Sequence, residues 1–222
     1  MALASENTVS SENQIVQSSI VFFLGNPNAK MRILILGNSI TRHGPKADIG
    51  WENDWGMAAT KRENDYVHRL CAQLEKDKKD VFIMVRQASD WERRYTEENI
   101  LSEYEQEKDF KADIVIFRLG ENVVQPDENR FETALRELIA HVCPQKGKTI
   151  YTTCFWENPV VDRVIENVAK ERGEICLDGC LSKDKTNMAL GQFAHNGVAM
   201  HPSDKGMSAM KELIYRNLKE MI

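Results

Sequence analysis

The sequence has no CxxC pair, no basic stripe with interleaved aromatics and no apolar run long enough to cross a bilayer. Its five cysteines, Cys71, Cys143, Cys154, Cys176 and Cys180, form no framework of close, regular spacings. They read as reduced core or helix residues of a cytoplasmic protein. Without histidine or further cysteine at ligand spacing around Cys176 and Cys180, no metal site is expected. The formal net charge of -5, with acidic and basic residues well mixed, gives no field to attract a phosphate backbone, so nucleic acid is not an expected partner. The apolar run 20–24 is too short for a signal h-region or a membrane span and comes after no basic segment, so no membrane association is expected.

What is present is enough apolar side chain for a core: 42% of residues are hydrophobic against 28% charged, as in a globular domain. The Ser-, Asn- and Glu-rich start reads as a partly ordered arm over 1–30, and 31–222 reads as a single domain on which the apolar residues 21–24 of the arm could pack. Within that domain, short apolar runs at 32–36, 81–85, 113–119, 149–154 and 174–177 alternate with segments of helical period. Each run is apolar on nearly every residue, as a strand covered on both faces must be. Tyr66, Val67, Leu70, Cys71 and Leu74 recur at helical spacing, as do Phe131, Ala134, Leu135, Leu138, Ile139 and Val142. Further apolar stripes occur at Val161, Val164, Ile165 and Val168, and at Met207, Met210, Leu213 and Ile214 behind a Ser203 cap; a shorter helix is expected from Thr96. The pattern predicts an α/β fold, a three-layer α/β/α sandwich of flavodoxin-like type with about five parallel strands and its site at the strand ends.

Three polar features fall on that edge: Asn38-Ser39 after the first strand, Gly120-Glu121-Asn122 after the third, and His201-Pro202 before the last helix. A serine hydroxyl becomes a nucleophile when a base takes its proton, and histidine is the usual base near neutral pH. Acyl transfer also needs donors for the developing oxyanion, which the Asn122 side chain and backbone N–H groups can supply. Read alone, each residue has a plainer alternative: Ser39 bonding a loop, Asn122 holding a turn, His201 capping a helix.

The segments Gly37-Asn38-Ser39-Ile40-Thr41, Gly120-Glu121-Asn122 and His201-Pro202-Ser203-Asp204-Lys205-Gly206-Met207 resemble, in order, the first, third and last sequence blocks of the SGNH, or GDSL-type, hydrolases. The resemblance implies an esterase or lipase-like serine hydrolase without a cofactor, with Ser39 as nucleophile and His201 as general base. It further implies that Asn122 and the Ser39 N–H form part of the oxyanion hole. Two departures stand out. The second block's glycine is missing from Val85-Arg86-Gln87-Ala88-Ser89-Asp90-Trp91, so Ala88 or Ser89 would have to supply its backbone donor. The acid expected three residues before the histidine is replaced by Val198, which leaves a Ser-His dyad oriented either by a backbone carbonyl from 197–199 or by Glu157.

All four tryptophans, Trp51, Trp55, Trp91 and Trp156, fall on the same edge, and with Asn38 and His43 they are the expected substrate-binding residues. Aromatic faces suit sugar rings, so a carbohydrate O-acyl (acetyl) ester or another small ester is the expected substrate; ordinary loop packing is the alternative reading of the same rings. The loop 41–60 is long enough to serve as a substrate-facing flap. Two other classes remain on sequence grounds, a degenerate hydrolase that holds a glycan and a flavodoxin-like binding module for a phosphate-bearing ligand.

Overall fold

The computed structural model describes residues 15, 16, 20–143 and 148–222; of the expected arm, 1–14 and 17–19 lie outside the described residues. In chain order the elements are β1 (Ile15–Val16), β2 (Val21–Gly25), β3 (Met31–Gly37), α1 (Tyr66–Lys76), β4 (Val81–Gln87), α2 (Ser89–Arg94), α3 (Glu105–Phe110), β5 (Ile114–Arg118), α4 (Glu128–Val142), β6 (Lys148–Thr152), α5 (Pro159–Arg172), β7 (Ile175–Leu177), α6 (Asn196–Ala199) and α7 (Asp204–Leu218). Helix starts are set by side-chain caps: Asp65 accepts from the His68 N–H ahead of α1, Asn158 caps α5 with Pro159 in its first turn, and Ser203 caps α7.

The strands form one sheet in the order β1-β2-β4-β3-β5-β6-β7. The five strands β4-β3-β5-β6-β7 run parallel, with Ile33 facing Ile83 on one side and Ile114 on the other. Their order is that of the doubly wound flavodoxin type, in which the chain reverses direction across the sheet beside the first parallel strand, here β3. Sequence reasoning did not assign a strand to 21–25. Val21, Phe22 and Leu24 are nonetheless buried, and the segment extends the sheet antiparallel to β4.

Side-chain alternation along the strands builds two cores. Leu34 and Leu36 of β3 lie with Trp91, Phe131, Leu135, Val161 and Val164 on the face covered by α2–α5. Ile33 and Ile35 lie with Tyr66, Leu70, Met207, Met210 and Ile214 on the face covered by α1 and α7. These are the three layers. One local expectation is corrected. No helix starts at Thr96; a 3-10 turn at Ile100–Tyr104 leads into α3 instead. The charged run 103–111 buries Glu107 and Phe110, the latter packed against Phe23 and Phe82. Among the described residues no helix is long and apolar enough to cross a membrane.

Candidate active site

The C-terminal ends of β3, β4, β5 and β6 share one edge, and the chain leaves β3 through a tight turn in which the Thr41 and Arg42 N–H groups both donate to the Asn38 carbonyl. The turn lifts Ser39 out of the sheet, and the Ser39 carbonyl is fixed by the Met57 N–H at 2.9 Å. His201 arrives from the other end of the chain. It sits between α6 and α7, held by its N–H to Val198 O and its carbonyl to Ala189 N, each at 2.9 Å.

Ser39 Oγ lies 2.9 Å from His201 Nε2, and His201 Nδ1 lies 2.7 Å from the Gly197 carbonyl. A carbonyl oxygen only accepts, so Nδ1 carries the proton and Nε2 presents a lone pair to the Ser39 hydroxyl. Burial pushes His201 down to about 4; the Gly197 carbonyl works against the shift, and His43 and Arg118 add to it. The ring is therefore neutral near pH 7, the state a general base requires. Trp156 stands edge-on to the imidazole with ring centroids 5.1 Å apart.

Beneath Ser39 lies a buried polar cluster. The Asn38 Nδ2 group donates to Glu92 Oε1 at 2.9 Å and to Glu121 Oε2 at 2.5 Å, while its Oδ1 accepts from Ile40 N at 3.2 Å and Arg118 Nη1 at 3.1 Å. Arg118, 1% exposed, is ion-paired with Glu121, whose Oε1 also accepts from the Phe155 N–H. Glu92 accepts from the Gly120 N–H and from Asn122 Nδ2, each at 2.5 Å. Burial first and the Glu121 charge second push the Glu92 carboxyl up to about 7, against the bonds from Gly120, Asn38 and Asn122.

Several expected site residues are thereby relocated. Asn38 is wholly buried and supports the turn that carries Ser39, which takes it away from the expected substrate-binding role. The Ala88 N–H donates to Gly37 O at 2.6 Å, which takes it away from an oxyanion role, and Ser89 N faces Gln87 Oε1 at 3.3 Å. Glu157 is exposed, and the carbonyl of Gly197 takes the place at His201 Nδ1 that an acid would hold. Trp91, 0% exposed, packs against Phe131 and Tyr95 in the core, and Trp51, 1% exposed, ties the 41–60 loop to itself by donating to His43 O. Trp55 is half-buried and donates to Ala59 O, whereas the Trp156 ring lies against His201. His43 is half-buried with Nδ1 at 2.6 Å from Gly44 O, and burial first lowers its pKa. The Ser39 N–H has no acceptor among the described residues.

Glu92 and Arg118 were not singled out by sequence reasoning, and Glu121 was named only within the segment Gly120-Glu121-Asn122, without a role of its own. Arg118 did leave a signal, as the one charge ending an otherwise apolar strand, IVIFR. Glu92 left none, since it sits in the polar segment SDWERR.

The doubly wound sheet, with Ser39 and His201 meeting at its strand ends, has the fold of the SGNH, or GDSL-type, hydrolases in the comparison with solved structures. TesA superposes with a TM-score of 0.57 at 15% identity, over 86% of this chain and 100% of that one. The psychrotrophic esterase EstA from Pseudoalteromonas sp., inhibited by monoethylphosphonate, gives 0.55 at 15% identity over 86% and 97% of the two chains. A two-domain esterase (CEX) active on acetylated mannans gives 0.50 at 14% identity, over 86% of this chain and 49% of that one. No family model and no curated protein matches the sequence.

Proposed function

We propose that the protein is a serine esterase that hydrolyses short O-acyl esters, acetyl above all, of a carbohydrate or another small alcohol through the Ser39–His201 dyad. The observation that carries this is the pair of distances at His201: 2.9 Å from Nε2 to Ser39 Oγ and 2.7 Å from Nδ1 to the Gly197 carbonyl. His201 Nε2 takes the hydroxyl proton as Ser39 Oγ bonds to the acyl carbon, and the carbonyl pair moves onto oxygen. The Ser39 N–H and the Asn122 side chain receive that oxyanion. Collapse breaks the bond to the alcohol, which leaves with the proton from His201. Water then gives a proton to the same Nε2, attacks the acyl carbon and releases the acid as the proton returns to Ser39. The Gly197 carbonyl does the orienting that a carboxylate does in a triad and, being neutral, stabilises the imidazolium less.

For the alcohol, the half-buried rings of Trp55, Trp156 and His43 suit a sugar, and the likeness in fold to an esterase active on acetylated mannans agrees with it. The test is hydrolysis of p-nitrophenyl acetate and of acetylated oligosaccharides together with fluorophosphonate labelling. Ser39→Ala is expected to lose both the label and at least about 1,000-fold in kcat. Retention of rate and label by that variant would sink the reading.

A further inference from the structure

We propose that Glu92 and Arg93, neighbours on α2, act together as positioning residues that hold the Asn122 carboxamide from its two ends and so fix which end of it faces the oxyanion. The inference rests on the esterase reading and goes beyond it, because neither residue touches Ser39 or His201.

The carboxamide of Asn122 is gripped at both poles. Its Oδ1 accepts from Arg93 Nη2 at 2.9 Å, and its Nδ2 donates to Glu92 Oε2 at 2.5 Å. Nδ2 has two hydrogens, so one is held by Glu92 and one is left for the reacting carbonyl oxygen. A side-chain amide turned end for end would set Oδ1 against a carboxylate and Nδ2 against a guanidinium, and both contacts would be lost. The orientation is thus dictated by charge on both sides.

The grips are themselves anchored. Glu92 is 0% exposed, and its Oε1 accepts from Gly120 N at 2.5 Å and Asn38 Nδ2 at 2.9 Å, so one carboxylate joins the turn that carries the nucleophile to the loop that carries the oxyanion donor. Arg93 Nη1 reaches the Ser89 carbonyl at 3.3 Å and Ser89 Oγ at 3.2 Å, which fixes the guanidinium although its residue is exposed. A helix turn thus stands where the family's second block would bring a glycine, and it steers the remaining side-chain donor instead.

The arrangement is sensitive to protonation. Glu92 faces Asn38 from the β3 turn and Gly120, Glu121 and Asn122 from the loop after β5, with Arg118 across Asn38. A proton on Oε2 makes it a donor aimed at the Asn122 Nδ2 donor. The amide then either turns, losing Arg93, or loses Glu92. Since burial holds this carboxyl up near 7, kcat is expected to fall as pH drops through about 7, well above the second fall expected where His201 takes its proton near 4.

The experiment compares wild type, Glu92→Gln, Arg93→Met and Arg93→Lys on p-nitrophenyl acetate across pH 4 to 9, with fluorophosphonate labelling of Ser39 in each. Glu92→Gln keeps the shape and still accepts from Asn38 and Gly120, but it presents an NH2 to Asn122. Its kcat at pH 8 is expected to fall about tenfold or more, with KM within about twofold, and its acid limb near 7 to disappear while the limb near 4 remains. Arg93→Met is expected to lose kcat in the same way without loss of Tm, its side chain being exposed, and Arg93→Lys to recover part of it. Wild-type kcat and an unchanged acid limb in both Glu92→Gln and Arg93→Met overturn the clamp while leaving the Ser39 chemistry standing. Absence of Ser39-dependent hydrolysis and labelling in the wild type overturns the esterase reading and the clamp with it. If Glu92→Gln does not fold, Arg93→Met and Arg93→Lys decide.

Discussion

At the scale of single residues, chemistry divides along who faces His201. The Gly197 carbonyl lies 2.7 Å from Nδ1, so removing the nearest sequence candidate for a triad acid is expected to do nothing: Glu157→Gln keeps kcat/KM within about twofold, measured by ester hydrolysis. A fall of more than about tenfold would mean that the carboxylate reaches the ring. The tryptophans separate on the same logic. Trp91 is fully enclosed between Phe131 and Tyr95, so Trp91→Ala is expected to cost about 3–5 kcal/mol in urea unfolding, the range for emptying a large aromatic site. That Ser39 and His201 meet, at 2.9 Å, was an expectation from the strand-end position of the first, the place of the second ahead of the last helix, and the resemblance of both segments to one family's blocks. Trp51 and Trp91 were placed on the right edge but not the right side of its surface, since linear spacing carries no information on whether a loop ring turns in or out. Glu92 was invisible for a stronger reason: a carboxylate is buried only when distant donors arrive, and its donors come from residues 38, 120 and 122.

At the scale of elements, the histidine is aimed by the start of α7. The Ser203 cap, the Met188–Pro202 bridge and Gly206 bring that helix against the 185–189 segment, and a Cβ at Gly206 would sit 2.2 Å from the Asn187 carbonyl oxygen. Asn187 O already accepts the Ser203 N–H at 2.8 Å, so neither side can yield cheaply. Gly206→Ala is therefore expected to push the helix start away and move His201 with it, lowering kcat about tenfold or more while the sheet stays folded by circular dichroism. Wild-type activity in a folded Gly206→Ala protein would show that the approach is not what aims the ring. The five parallel strands were legible to within a residue or two, because burial on both faces writes an unbroken apolar run. The antiparallel strand at Val21–Gly25 was legible only as something that could pack: five apolar-rich residues do not say whether they will join an edge or lie across a helix. The expected Thr96 helix failed because its acidic first turn had no apolar stripe behind it, and the chain took its next turn at Ile100, whose side chain is buried.

At the scale of the whole molecule, the sheet carries charge through its own core. Arg118 ends β5, faces the α7 layer through Met210 Sδ at 3.2 Å, and supplies the counter-charge to Glu121 beneath the Ser39 turn, which also rests on Glu92. Two acids and one base enclosed between layers are tolerable only while each is bonded, and the Arg118 guanidinium is what keeps the Glu121 carboxylate from standing alone. Arg118→Met keeps the length and the apolar contact to α7 but removes the charge. It is expected to cost about 3–5 kcal/mol, the range for breaking a buried pair, seen as a lower urea midpoint with an unchanged m-value. The sign of its pH dependence is set by proton uptake. An enclosed carboxylate without its partner is relieved by taking a proton, so the native variant binds protons that the unfolded chain, with carboxylates of ordinary acidity, has already released. Stability falls with rising pH wherever the native state holds the extra protons. The gap between wild type and Arg118→Met is accordingly expected to be larger at pH 8 than at pH 5, and equal gaps at the two pH values would locate the stabilising contribution of Arg118 in packing against Met210 and not in its charge.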